Sequence, residues 1–310
     1  MPSAIPPQLY DHLMVFWPAI ITALLVPLIV ASAAITISVP GGGSVVVAAW
    51  IFLLITVFSS TGYTTPNNWI ARSIYKTIGP SLESLNWTIK DHSHFDHNRQ
   101  AIYVWLPHSH FALVPFATIA GGLGSKVWQR PTLLCTAPPF FDIPALRQIS
   151  MGFGLVRSDY DSMKGSLKQG TSLVVIPGGV REVTHSAAKT IKLVKGRKGF
   201  IRLALDAGVP IIPVFSFGEN EWFERPADES ATWYHKVLKA MGGGMQFPSW
   251  DSVKAWFQKP LEAAQIHIGR PFNYDPGMKA EDLVGLWERH VGQFYKKVRP
   301  SDYARQIEWV

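Results

Sequence analysis

The sequence predicts an α/β fold, a mixed sheet covered by helices, carried behind an N-terminal membrane-embedded helical hairpin. Two observations predict it. Residues 12–71 contain no Asp, Glu, Lys or Arg, whereas charge is spread through the remainder. After residue 100, short apolar runs rich in β-branched and aromatic residues alternate with helical patterns, the order expected of a sheet with crossover helices.

The apolar stretch comes first. Residues 13–37 form an uncharged run of 25, enough to cross about 30 Å of hydrocarbon at ~1.5 Å per residue. Pro18 and Pro27 interrupt it, and prolines kink apolar helices without excluding them from lipid. A glycine-rich turn at 38–44 leads into a second run, 45–58, shorter than an untilted span. Two readings follow, a pair of spans or a re-entrant hairpin. A cleaved signal peptide is disfavoured, because residues 1–11 hold no basic residue. Residues 1–71 are therefore assigned to the bilayer and 72–310 to one catalytic-sized domain. Arg72, Lys76 and Lys90 follow the apolar runs and favour a cytosolic domain.

The net charge of +7 arises wholly beyond residue 71. A basic domain suits anionic lipid or a phosphate-bearing substrate. Its Lys and Arg are scattered rather than grouped with aromatics, so nucleic acid is not an expected partner. Cys135 is the one cysteine. It permits no internal disulfide, and its strand-like surroundings make it a poor nucleophile.

Elements of the domain follow in order. Residues 101–106 read as a strand and 111–120 as an apolar helix. Residues 132–136 form a strand, and 158–169 a helix closed by Gly170. Residues 171–176 run as a strand into a glycine turn. In 198–207, Phe200, Leu203, Ala204 and Ala207 recur at helical spacing, and Gly208 supplies the stop. Residues 209–215 form a strand that Pro210 and Pro213 assign to an edge or a bulge. Residues 264–268 are a short strand, and 280–297 a closing amphipathic helix.

Candidate chemistry lies where strands end. His108 follows a strand and precedes a helix, the position at which open α/β sheets bind ligands. A neutral imidazole there, with an ordinary pKa of about 6.5, could take a proton from a hydroxyl; a structural histidine fits the spacing equally. Gly178 and Gly179 can turn backbone N–H groups toward an oxyanion, and Glu182 could hold His108 or an acceptor hydroxyl. A plain turn with a solvated carboxylate is the competing reading. Ser109 adjoins His108 in the acceptor region but lacks a nucleophile elbow, which favours direct transfer over a covalent intermediate. The His/Asp run at 91–97 matches no standard zinc spacing, so no metal is expected. No glycine-rich nucleotide signature follows a strand.

These islands resemble the type 2 diacylglycerol and monoacylglycerol acyltransferase family. The resemblance rests on Pro107-His108-Ser109, on Gly178-Gly179-Val180-Arg181-Glu182, and on Arg197-Lys198-Gly199-Phe200 leading to the strand and turn at 213–220. The hairpin and Gly269-Arg270-Pro271 also fit. It implies a glycerolipid-acyltransferase-like fold and an endoplasmic-reticulum enzyme, partly on lipid droplets, that moves a fatty acyl group from acyl-CoA to a lipid alcohol. Acyl-CoA is then a co-substrate and no bound cofactor is needed. His108 would be the base and Glu182 its support. Gly178 and Gly179 would bind the oxyanion, and Arg157, Arg197 and Lys198 are candidate contacts for the CoA phosphates, with plain surface charge as the competing reading for Arg197 and Lys198. Partners are acyl-CoA, a lipid acceptor, the bilayer or droplet surface, and a second copy of the chain as a candidate.

The sequence departs from the family pattern at Leu106, where a polar residue precedes Pro-His, and at Leu113, where related glycerolipid enzymes place an Asp after their histidine. The acceptor is expected to be diacylglycerol, with monoacylglycerol, a fatty alcohol or a polyol as alternatives. A non-catalytic lipid-droplet protein is the reading from another class. Asn86-Trp87-Thr88 is a glycosylation sequon that a cytosolic domain would leave unused. Asn86 is expected to be unmodified; an endoglycosidase-sensitive change in gel mobility would overturn that topology.

Overall fold

A computed structural model describes residues 46–47, 87–91, 99–108, 112–120, 130–142, 147, 150–179, 182, 191–219, 264–300 and 307–310. The chain divides into two compact units, Met1–Ser60 and Thr61–Val310. The apolar runs at 13–37 and 45–58 lie outside the described residues, except for Val46 and Val47. Among the described residues no helix is long and apolar enough to cross a membrane.

The second unit is built on a seven-stranded sheet. In chain order the elements are β1 (Trp87–Asp91), β2 (Ile102–Leu106), α1 (Leu113–Ala120), β3 (Thr132–Thr136), α2 (Pro139–Asp142), β4 (Leu155–Arg157) and α3 (Tyr160–Lys168). They continue with β5 (Ser172–Val175), β6 (Ile191–Leu193), α4 (Gly199–Ala207), β7 (Ile211–Phe217), β8 (Ala264–Ile268), α5 (Ala280–Val298) and β9 (Ile307–Trp309). The sheet order is β1-β8-β7-β2-β5-β3-β4, and β6 pairs with β9 in a separate two-stranded sheet. Every pairing is parallel except β7 with β8. The sheet is therefore mixed, as its sequence predicts.

Central strands are buried on both faces, which is why β2 and β7 read as continuous apolar runs rather than alternating ones. Successive side chains still divide between two cores. Ile102, Val104 and Leu106 pack with Phe200 and Leu203 of α4 and with Leu283, Trp287 and Val291 of α5. Tyr103 and Trp105 face the opposite way, against Val114 and Ile119 of α1 and against Phe141. Trp105 carries its indole N–H into that core and donates it to Ser216 Oγ (3.0 Å).

The helices follow their sequence signals. Gly208 takes φ +64° and closes α4 by donating to the Ala204 and Leu205 carbonyls. The buried stripe of α5 runs through Ala280, Leu283, Trp287, Val291 and Tyr295. Glu281 and Asp282 sit at its first turn and Lys296 and Lys297 at its last, matching the helix dipole. Asp159 caps α3 by accepting from the Ser162 N–H.

One expectation is corrected. Of the two alternatives for Pro213 the edge fails: it lies in β7, between β2 and β8, and the pairing shifts by one residue from Val214↔Ile268 to Ile211↔Phe272, the irregularity a bulge produces. The β7–β8 ladder runs through Val214↔Ile268, and the next residue, Gly269, donates to the Pro213 carbonyl (2.8 Å). The missing Pro213 N–H would thus face Gly269, one position beyond β8, where no strand partner is forfeited. The proline ring needs that glycine. A Cβ on Gly269 would stand 2.7 Å from Pro213 Cγ and 3.0 Å from the Phe294 ring. Overpacking of this kind costs ~1–3 kcal/mol, so Gly269→Ala should lower the thermal midpoint measurably without changing secondary structure by circular dichroism.

Candidate functional site

The topology itself makes a crevice. β2 and β5 are parallel neighbours. The connection from β2 enters α1 on one face of the sheet, whereas the connection from β5 leads through β6 to α4 on the other. Neighbouring strand ends whose connections part in this way leave an opening at the carboxyl edge. His108 follows β2 there and Gly178-Gly179 follow β5. The β2–β5 register pairs Val104 with Val175.

At that edge sits a buried carboxylate. Glu182 is 1% exposed. Its Oε2 accepts the backbone N–H of His108 (3.0 Å), and its Oε1 accepts the backbone N–H of Val194 (3.0 Å). The bond therefore runs to the main chain of His108 and not to its imidazole. Two sequence-predicted residues, 74 positions apart, are joined, and His108 itself is half-buried.

Burial pushes the Glu182 carboxyl above the ordinary carboxylate value. The Val194 and His108 amides and the Arg197 charge draw it back. A carboxyl raised in this way favours the folded state most below its unfolded pKa, and that contribution is lost as pH rises through the folded value. Both amides and Arg197 favour the charged form, and burial outweighs them.

The glycine turn acts through space as well as through its N–H groups. A Cβ on Gly178 would lie 1.8 Å from Glu182 Cδ, so only glycine lets the carboxylate reach its two donors. Gly179 adopts φ +52° and has nothing within 4 Å of a built Cβ. Arg197 closes the turn by donating from Nη2 to the Gly178 carbonyl (3.2 Å).

The other predicted cations are placed as follows. Lys198 Nζ lies 2.8 Å from Glu281 Oε1, which Arg202 also approaches at 3.1 Å. The Lys198 hydrogen bond is the largest influence holding the Glu281 carboxyl down, to about 2. Arg157 ends β4, the far edge strand, and pairs with Asp142 and Asp159. It stands three strand spacings from β2, roughly 14 Å, so it does not join the His108–Glu182 group. Ser109, Val180, Arg181 and Asn220 lie outside the described residues. Of the 91–97 run only Asp91 is described, at the end of β1, and no cluster of potential metal ligands occurs among the described residues. Cys135 is half-buried in β3, where burial and the Asp159 charge raise its thiol well above the usual range.

Two contributors escape sequence reasoning. Val194 acts through its backbone N–H, for which no side chain gives a signal. Glu219, 4% exposed, lies two residues past β7 at the same carboxyl edge; it falls within the 213–220 stretch, where its carboxylate was the available clue.

Against this geometry stand the comparisons with known proteins. A profile of the family described as diacylglycerol acyltransferase matches residues 45–257. Diacylglycerol O-acyltransferase 2 of Danio rerio is 30% identical over 196 residues, covering 56% of this chain and 52% of that protein. Its counterpart in Dictyostelium discoideum is 31% identical over 151 residues, 47% of this chain and 46% of that one. Acyl-CoA wax alcohol acyltransferase 2 of Homo sapiens is 36% identical over 136 residues, 41% and 40% of the two chains. The chain thus spans about half the length of the curated relatives it matches. Among solved structures, a 1-acyl-sn-glycerophosphate acyltransferase from Thermotoga maritima aligns at 15% identity over 80% of this chain and 88% of that one, with a TM-score of 0.46.

The two glycines should respond differently to one added methyl group. Gly179→Ala meets only backbone strain, ~1–2 kcal/mol. Gly178→Ala displaces Glu182 from both amides, each a charge-assisted bond of ~1.5–3 kcal/mol. Paired thermal melts should therefore show the larger loss for Gly178→Ala, and equal losses would contradict the packing.

Proposed function

The chain belongs to the diacylglycerol acyltransferase family, and from that membership we propose that it transfers a fatty acyl group from acyl-CoA to a lipid alcohol, with diacylglycerol as the acceptor and triacylglycerol as the product. The observation that carries the reading is the Glu182 carboxylate fixing the backbone of His108 at the opening between β2 and β5.

In this mechanism the His108 imidazole takes the proton of the acceptor hydroxyl as its oxygen attacks the thioester carbonyl. The tetrahedral oxyanion is met by backbone N–H groups of the 178–179 turn; a donor so placed contributes ~3 kcal/mol. Collapse of the intermediate breaks the C–S bond, forms the ester, and returns the proton to the departing CoA sulfur. Glu182 acts as a positioning residue. It fixes the main chain of His108. Arg197, which also steadies the turn, and the adjacent Lys198 are the candidate contacts for the CoA phosphates. The site works from an endoplasmic-reticulum membrane or droplet surface, with residues 1–71 as the anchor and the catalytic domain in the cytosol.

A second acceptor reading is favoured by one residue. Leu106, directly before Pro107-His108, is 3% exposed and belongs to the apolar core. It gives the acceptor no polar contact there. The relatives include a wax alcohol acyltransferase and 2-acylglycerol O-acyltransferase 3 of Homo sapiens, so monoacylglycerol and long-chain alcohols are the competing acceptors.

Expression in a host lacking neutral-lipid synthesis, followed by mass spectrometry of the accumulating lipids, tests the reading. Triacylglycerol should appear, and wax ester in its place would assign the second acceptor. His108→Ala should abolish product while membrane-bound protein is retained; undiminished product would remove His108 as the base.

A further inference from the structure

We propose that β9 is a positioning element of the His108 centre: residues 307–310 clamp the segment whose amide holds Glu182, and the carboxylate relay is secured only when they are seated.

The bonds form a continuous series. β9 pairs in parallel with β6 through Ile191↔Ile307, Lys192↔Glu308 and Leu193↔Trp309. Val310 N–H donates to the Leu193 carbonyl (2.9 Å), and the Lys195 N–H donates to the Val310 carbonyl (2.8 Å). Val310 thus grips the backbone on either side of Val194. Successive peptide groups of an extended chain point to opposite sides. With residues 193 and 195 directed at β9, the Val194 N–H is turned the other way, and there it meets Glu182 Oε1 (3.0 Å). The opposite oxygen of that carboxylate carries His108.

Among the described residues β6 has no other strand partner, since the seven-stranded sheet does not include it. A two-stranded pair of three-residue strands is marginal alone, so the direction of the Val194 amide depends on β9. The side chains of β6 have their own anchorage. Ile191 and Leu193 are each 1% exposed in the core shared with α4 and α5. Loss of β9 would therefore leave β6 lodged by its side chains but its backbone unfixed. Trp309 adds a second effect. It packs against the same core and lines a recess with Leu106, Pro177, Glu182, Val194 and Arg197, helping to exclude water from the carboxylate.

The proposal rests on the acyl-transfer reading for its kinetic consequence alone. The test uses the full chain in microsomes or detergent. Glu308→Pro breaks the β6–β9 ladder, a chain lacking residues 307–310 removes it, and Glu308→Thr deletes the exposed Lys192–Glu308 contact while keeping the ladder. Hydrogen exchange at the Val194 and His108 amides should accelerate by about tenfold or more in the first two variants and stay unchanged in the third. Acyl-transfer kcat should fall about tenfold in the first two, with KM for acyl-CoA held within about twofold. Unchanged exchange at His108 in either ladder variant would overturn the proposal, as would Glu308→Thr losing as much kcat as Glu308→Pro. Loss of a cooperative thermal melt in both ladder variants would overturn it too, because β9 would then support the whole fold. A wild-type chain inactive on every alcohol, with the exchange pattern intact, refutes acyl transfer and leaves the clamp standing.

Discussion

A carboxyl group removed from water must find hydrogen-bond partners, and those of Glu182 organise the surrounding structure. Its carboxylate is 1% exposed, and the two oxygens are satisfied by main-chain amides from segments on either side of it in sequence. Each amide reaches it only because something else holds that backbone. β2 is locked between β5 and β7 on one side; β6 is set by β9 on the other. Gly178 opens the space, and Arg197 braces the turn while favouring the anion. Leaving any one of these bonds unmade would strand a buried polar group, a larger penalty than the net value of a neutral hydrogen bond.

The sheet was legible where strands are buried on both faces. Residues 102–106 announce themselves as an apolar run, and α4 by its helical spacing and Gly208. β1 was not, because Trp87-Thr-Ile-Lys-Asp91 is an edge strand whose Thr88 and Lys90 are exposed, and its alternation spans too few positions. Neither were β6 and β9, whose three-residue lengths fall below any periodic signal. Pro213 misled for a different reason: the rule that proline avoids central strands assumes a partner opposite every N–H, and β8 has already ended there.

The candidate site divides along the same line. His108, Gly178, Glu182 and Arg197 were visible because their side chains are chemically distinctive at strand ends. How they connect was not visible, since the connection uses amides, and an amide is the same in every residue but proline. Side-chain identity marks where polar function can lie; backbone direction, set by remote pairing, decides what is bonded. The cations show the converse. Arg157, Arg197 and Lys198 were chosen by charge, yet Arg157 is committed to Asp142 and Asp159 on a distant edge strand.

The lone thiol carries a practical consequence. Cys135 is the only cysteine in the chain, and burial together with the Asp159 charge keeps it protonated. Thiolate, not thiol, reacts with disulfide chromogens and maleimides. A disulfide chromogen added to the folded chain should therefore react slowly, and denaturation should release one fast-reacting thiol, so a single absorbance trace reports the loss of tertiary structure around β3.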